Sequence, residues 1–227
     1  MPQDRVAAGN GWVDETASLL TRERLLDAAE ALFAEYGYRG ASLRQITASA
    51  RANLAAVNYH FGSKQALYAT VFTRRVRPMN AERLRLLDAA ERGHSSESLS
   101  LAGVLDILLR PIVELATTRG DKAHPFARFM SRNLIEPQPF MREVIARELG
   151  PIFMRVEPHL RLALPHLDPV TLHFRLRFVL GATNMTFAAV PFLPGMQIQF
   201  GMSGSSDELL QHLLLVSEAV LRAPLPS

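Results

Sequence analysis

Apolar residues return at helical spacing through almost the whole chain, and no stretch alternates at the two-residue period of a strand. In TRERLLDAAEALFAEYG, Leu25, Ala28, Ala29, Leu32, Phe33 and Tyr36 fall at i, i+3, i+4 and i+7, one stripe of a helix. β-Branched or aromatic runs joined by Asn-Gly or Asp-Gly hairpin turns are missing. Helices patterned this way bury their stripes against one another, so the fold class is all-α.

Punctuation in the first third divides the pattern into short pieces. Thr21 is placed to cap the first helix and Gly37 to stop it. Ser42 and Gln45 have capping-box spacing and open a second helix with Leu43, Ile46 and Ala50 on one face. Asn53 caps a third, LAAVNYH, which ends at Phe61 and Gly62. Ser63 opens a fourth with Leu67, Val71 and Phe72. From about residue 83 the helices lengthen, with breaks at Arg92 to Ser100, at Gly120 and Asp121, at Glu136 to Pro139 and at Pro165. The stretch PFLPGMQIQFGMSGSS reads as a loop joining two helices.

The 227 residues suffice for one domain or two small ones, at about 150 per domain, and exclude a large multidomain enzyme. With 48% hydrophobic and 21% charged residues the chain is globular. Cysteine is absent, which removes disulfide scaffolds, thiolate zinc sites and cysteine nucleophiles. Nothing near the N-terminus has the apolar core of a signal peptide, and no apolar run reaches the length of a membrane span. The expectation is a cytoplasmic protein with no membrane partner. Residues 1–20 read as a flexible arm.

Charge is distributed unevenly. Between Glu35 and Glu82 there is no acidic residue, yet seven basic ones occur: Arg39, Arg44, Arg51, Lys64, Arg74, Arg75 and Arg77. A polyanion meets no repulsion there, which is the footprint of a phosphate-backbone partner. The same window holds the second and third helices and the tight turn between them. That arrangement fits a helix-turn-helix, whose later helix enters the DNA major groove.

The run from Thr21 to Leu67, through SLRQITASA and NLAAVNYHFGSKQAL, resembles the DNA-binding domain of the TetR family of bacterial transcriptional regulators. The residues that carry the likeness are Ala29, Phe33, Gly37, Ser42, Ile46, Ala50, Val57, Tyr59-His60-Phe61 and Ser63-Lys64. The resemblance implies an all-α homodimer with an N-terminal three-helix helix-turn-helix domain, residues 21–67. A C-terminal helical domain, residues 68–227, would serve dimerisation and ligand binding. The implied partners are a palindromic double-stranded operator and a small-molecule effector, with no cofactor. The chain departs from the family where many members carry glycine at the turn and Arg51 stands instead, a costly residue in a left-handed conformation.

Residue by residue, the DNA-facing set is Ser42, Arg44, Arg51, Asn53, Leu54, Ala55, Ala56, Asn58, Tyr59, His60 and Lys64. Ser42 and Asn53 lie at helix N-termini, where they cap or point at a phosphate. Lys64 in the first turn of the fourth helix is a cation near a positive helix end, an arrangement that favours an arriving anion. Tyr59 lies almost opposite Val57 and Phe61, away from the core. Ala55 and Ala56 are small enough for close approach and offer methyl groups to thymine. Asn58 sits on the flank, within reach of adenine. His60 touches a phosphate or bridges helices three and four, and Arg44 reaches from the solvent side of helix two. A helical wheel turns Leu54 toward the core, whereas the resemblance turns it toward DNA.

Farther on, Asp168 and Pro169 open a helix with Leu172, Leu176, Leu180 and Phe187. Ser206 begins a last helix with Leu210, Leu213, Leu214 and Val220. These residues are the dimer-interface candidates, joined in an intermolecular four-helix bundle. Phe126, Phe129, Met130, Met154, Phe174 and Phe178 are the candidates for lining an effector cavity suited to an apolar, acyl or aromatic ligand. Enzyme signatures are absent: no Gly-rich phosphate loop, no H-E-x-x-H and no G-x-S-x-G at a strand-to-helix turn. His159, His166 and His173 recur every seven residues, but Pro165 and Pro169 keep them off a common helix, so no metal site is expected. The alternatives to a repressor released by an apolar effector are a helical protein-interaction module and an all-α enzyme.

Overall fold

A computed structural model describes residues 10–93, 99–117, 123–189 and 205–225; the side chains of 10–15, 93, 116, 123–124 and 187–189 lie outside the described set. All regular structure among the described residues is helical. The elements are α1 (Asn10–Gly40), α2 (Leu43–Ser49), α3 (Leu54–Phe61), α4 (Lys64–Gly93), α5 (Leu101–Thr117), α6 (Ala123–Ile135), α7 (Met141–Ala163), α8 (Pro169–Ala189) and α9 (Ser206–Arg222). The loop expected near residues 191–206 falls mostly outside the described residues. The chain divides into two compact units, residues 1–72 and 73–227, with the division inside α4.

The first unit closes three helices and the start of α4 around one core. Leu25, Leu26, Ala29 and Phe33 of α1 meet Ile46 of α2, Val57 of α3, and Leu67, Tyr68 and Val71 of α4, all buried. Phe33 and Tyr68 pack edge to face at 4.8 Å between centroids. Helix α1 starts earlier than its expected cap at Thr21. No glycine or proline lies between Gly11 and that position, and the Thr21 hydroxyl donates to the Ala17 carbonyl at 2.9 Å, inside the helix. Residues 10–20 are therefore helical rather than an arm; residues 1–9 lie outside the description. Gly37 takes φ 71°, a left-handed conformation that only glycine adopts cheaply, and it breaks α1 three residues before its end.

In the second unit, Leu87 of α4, Leu105 and Leu108 of α5, Ile152, Val156 and Leu160 of α7, and Leu172, Leu176 and Val179 of α8 form the main core with Leu221 of α9. A smaller cluster joins Leu109 and Val113 of α5 to Leu210 of α9. The breaks fall at residues 136–140 and 164–168, at the expected proline and turn residues. Asp168 caps α8 by accepting from the Val170 and Thr171 amides at 2.9 and 3.1 Å. Ser205 and Glu208 form a capping box on α9.

Among the described residues of this unit, two arginines are buried and satisfied by neutral oxygens. Arg83 donates to the Leu108 carbonyl from Nε at 3.2 Å and from Nη2 at 2.9 Å, and to Asn80 Oδ1 at 2.8 Å. Burial pushes its guanidinium down to about 10. Arg175 of α8 donates to the carbonyls of Leu221, Ala223 and Pro224, so its charge meets the negative C-terminal end of α9. Helices α4 and α7 are also tied by ion pairs. Arg77 grips Glu148 with two bonds of 3.0 Å, and Arg155 reaches Asp88 at 2.7 Å and Glu91 at 2.6 Å.

Candidate nucleic-acid interface

Capping residues set the geometry of the helix-turn-helix. The Ser42 hydroxyl oxygen accepts from the Gln45 amide at 3.2 Å, while Gln45 Oε1 accepts from the Ser42 amide at 2.8 Å. Helix α2 then ends in a Schellman turn: the Ala52 amide donates to Thr47 O at 2.9 Å and the Arg51 amide to Ala48 O at 3.2 Å. Asn53 Oδ1 accepts from the Ala56 amide at 2.9 Å and starts α3. Gly62, at φ 75°, ends it.

Arg51 occupies the C′ position of that turn at φ 51°, the only non-glycine with positive φ among the described residues. The turn keeps its left-handed geometry although glycine is replaced, so the conformational cost anticipated for this position is present.

Val57 is the sole buried residue of α3. Every other side chain on that short helix is exposed or half-buried, which is what a reading helix requires and a packing helix does not. Tyr59 is 81% exposed and Leu54 48% exposed, so the outward alternative for Leu54 holds. With eight residues, α3 has only one turn anchored by Val57, and Leu54 lies beyond that anchor at its N-terminal end. Ser42, Arg44, Arg51, Asn53, Ala55 and Asn58 are exposed, and Ala56, His60 and Lys64 are half-buried. The His60 ring lies between its neighbours, 5.0 Å from Tyr59 and 6.0 Å from Phe61.

One feature of the site was not anticipated. The Lys64 ammonium lies 4.6 Å from the centroid of the Tyr38 ring, and partial burial holds its pKa below the ordinary lysine value. The YGY segment that supplies Tyr38 is visible in the sequence, but nothing local announces a partner 26 positions on.

In the second unit, several expectations exchange places. Of the dimer-interface candidates, Leu172, Leu176 and Leu210 are buried in the chain's own core; Leu180, Leu213, Leu214 and Val220 pack partly against it. The Phe187 side chain lies outside the described residues. Of the cavity candidates, Phe126 and Phe129 are buried and stacked at 6.2 Å, and Met130 is half-buried. Met154, Phe174 and Phe178 point outward at 70%, 69% and 58% exposure. The reason lies in α8, which is apolar on nearly every side. Its sequence holds two stripes, 172/176/179 and 170/174/178/185, and periodicity alone does not say which faces inward. The second stripe, Val170, Phe174, Phe178 and Met185, is the exposed one, and Leu215 and Val216 of α9 are exposed as well.

A recess of about 210 Å³ lies between α7 and α8. Val156, Leu160, Leu172, Leu176 and Leu180 contribute its apolar wall, with Glu157, His173 and Arg177 among its polar lining. Glu157 is held by Arg161 at 2.7 Å, and the His173 ring stands 3.8 Å away. Among the described residues no three acidic, histidine or cysteine side chains gather to hold a metal, and no helix is long and apolar enough to cross a membrane.

An all-helical chain with an outward-facing third helix in an acid-free window defines a helix-turn-helix DNA-binding protein. Residues 25–71 match the family described as bacterial regulatory proteins, tetR family, and residues 106–219 match the tetracyclin repressor-like C-terminal domain. The chain belongs to the TetR family of transcriptional regulators. The HTH-type transcriptional dual regulator CecR of Shigella flexneri is 30% identical over 135 residues, 58% of this chain and 59% of that protein, so the match spans about three fifths of that relative. Among solved structures, the transcriptional regulator FadR from Bacillus subtilis, in complex with stearoyl-CoA, is 14% identical, covers 89% of this chain and 99% of its own, and has a TM-score of 0.57. A putative regulator from Streptomyces coelicolor is 24% identical, with 90% and 99% coverage and a TM-score of 0.54. Both similarities establish a shared fold.

Proposed function

We propose that the chain is a homodimeric repressor that binds a palindromic operator through α2 and α3 and leaves it when a small apolar effector binds the second unit. The observation that supports this reading is α3 itself, which buries Val57 alone and offers Leu54, Ala55, Asn58 and Tyr59 outward from a stretch of chain without acidic residues. Ser42, Arg44, Arg51, Asn53, His60 and Lys64 supply the surrounding backbone contacts, and Ala56 the close approach. Two such helices in a dimer must stand about 34–36 Å apart to enter successive major grooves.

The outward stripe of α8, with Leu215 and Val216 of α9, is the surface proposed for the second subunit. The α7–α8 recess is the proposed effector site; at about 210 Å³ it is smaller than sites for drug-sized molecules, so the ligand is small. An effector acts by preferring a dimer whose reading helices are wrongly spaced, and several kcal/mol of preference empties the operator. The role is regulatory rather than catalytic, in the cytoplasm, and uses no cofactor.

Fluorescence anisotropy with duplexes from the region upstream of the chain's own gene tests the reading. Specific binding that weakens steeply with salt is the expected result. Equal affinity for operator and random duplex at every salt concentration refutes it.

A further inference from the structure

Lys64 sits just past the Gly62 that ends α3, in the first turn of α4. Its ammonium does not hang in solvent but lies over the Tyr38 ring, 4.6 Å from the centroid. Tyr38 comes from the far end of α1, immediately after the break at Gly37. That ring is itself fixed: it meets Tyr68 edge to face at 5.2 Å, and Tyr68 packs on Phe33 at 4.8 Å, both of them buried. Three aromatic rings thus pack edge to face or tilted against one another, and the outermost carries a lysine over its face. A lysine side chain surrenders much rotamer freedom when it is ordered, and a flexible one would have to do so on meeting DNA. Here the ammonium already has a place, over the Tyr38 ring, without DNA.

We infer that Tyr38 is a positioning residue for DNA binding: its ring holds the Lys64 ammonium beside the reading helix, where a backbone phosphate docks. This rests on the DNA-binding role proposed above. The ring makes the cation available at one place rather than many, and it does so without a carboxylate that a phosphate would have to displace. The attraction between ammonium and ring face is compatible with a phosphate approaching from the opposite side, whereas a salt bridge would compete with it. A tyrosine is therefore better suited here than an aspartate or glutamate, in keeping with the acid-free window.

The test is a double-mutant cycle on the full chain, read by anisotropy with a labelled random-sequence duplex at low salt, so that no operator need be known. Lys64→Ala should weaken binding and make the salt slope shallower by about one unit. Tyr38→Leu should weaken binding about two- to fivefold, the worth of an exposed cation–π contact. Tyr38→Phe, which keeps the ring, should bind as the parent does. Tyr38→Leu added to Lys64→Ala should cost nothing further, because the residue being positioned is gone. NMR supplies a second readout: the Lys64 ε-methylene protons should be shifted upfield by the ring in the parent and in Tyr38→Phe. Full additivity of the two losses, a loss in Tyr38→Phe, or unshifted ε-protons in the parent overturns the inference. Failure of the parent chain to bind any duplex instead removes the DNA-binding reading beneath it.

Discussion

Replacing Arg51 by glycine separates stability from binding at the helix-turn-helix. Arg51 holds φ 51° at the C′ position of the turn, where its amide and that of Ala52 close the end of α2. A left-handed non-glycine costs about 1–2 kcal/mol, and glycine returns about 0.5–1 kcal/mol of that through the freedom it gains when unfolded. Arg51→Gly should therefore stabilise the full chain by about 0.5–1 kcal/mol in denaturant unfolding. The same change removes an exposed cation from the acid-free window. If Arg51 meets a phosphate, affinity for every duplex falls and the slope of log affinity against log salt becomes shallower by about 0.9. Arg51→Lys is the control, keeping both charge and strain, and should change neither quantity much. A chain that is stabilised yet binds DNA with unchanged affinity and slope would show that the strain is tolerated for no binding purpose. Destabilisation by glycine would refute the conformational argument itself.

Tyr59→Ala and Ala55→Ser should change the ranking of operator variants as well as the affinity, since both positions are exposed on α3, the proposed reading helix; equal losses on operator and random duplex would assign them to the backbone instead. Phe174→Glu, at a residue 69% exposed, should leave the chain folded by circular dichroism and halve its mass in sedimentation, whereas an unchanged dimer would move the interface elsewhere. The Arg77 guanidinium bonded to Glu148 holds that carboxyl below its ordinary range. A depressed carboxylate stabilises the fold above its unfolded pKa, and that contribution disappears as pH falls through the folded one, so the second unit should lose stability on acidification, and less so in Arg77→Ala. Arg83→Ala should cost about 1–3 kcal/mol by leaving the Leu108 carbonyl and Asn80 Oδ1 unsatisfied; a neutral result would mean that water replaces the guanidinium.

The first unit was legible because its signals are local. Ser42, Gln45, Asn53 and Gly62 each specify a helix end through contacts within four residues, and those ends set the direction of α3. Tyr59 faces outward as its position almost opposite Val57 and Phe61 on a two-turn helix requires. Tyr38 escaped notice for the opposite reason: its partner is 26 residues away, and a lysine stacked on an aromatic leaves no periodic trace. The early start of α1 escaped too, since a threonine hydroxyl caps a helix or bonds back to a carbonyl with equal ease, and the sequence shows only the hydroxyl.

In the second unit the difficulty is one of symmetry rather than distance. Helix α8 carries two apolar stripes, and Leu172, Leu176 and Val179 bury the inner one within the chain. Phe174 and Phe178 are large, apolar and helical, the same description that fits a cavity lining, and only the packing of α8 against α5, α6 and α9 turns them outward. A lone monomer gains nothing by keeping Val170, Phe174, Phe178 and Met185 in water along one ridge, since each buried apolar side chain of this size is worth about 1.5–3 kcal/mol. The stripe is therefore better explained by a second copy than by solvent, and it places the recess lined by Arg177 beside that surface on the same helix. Since the two sites share α8, a ligand that turns the helix to fit the recess must also turn Phe174 and Phe178. On this reasoning Leu176→Phe, which fills the recess from below, should alter dimer affinity without touching the dimer surface; unchanged dimerisation in a folded variant would uncouple the two faces of α8.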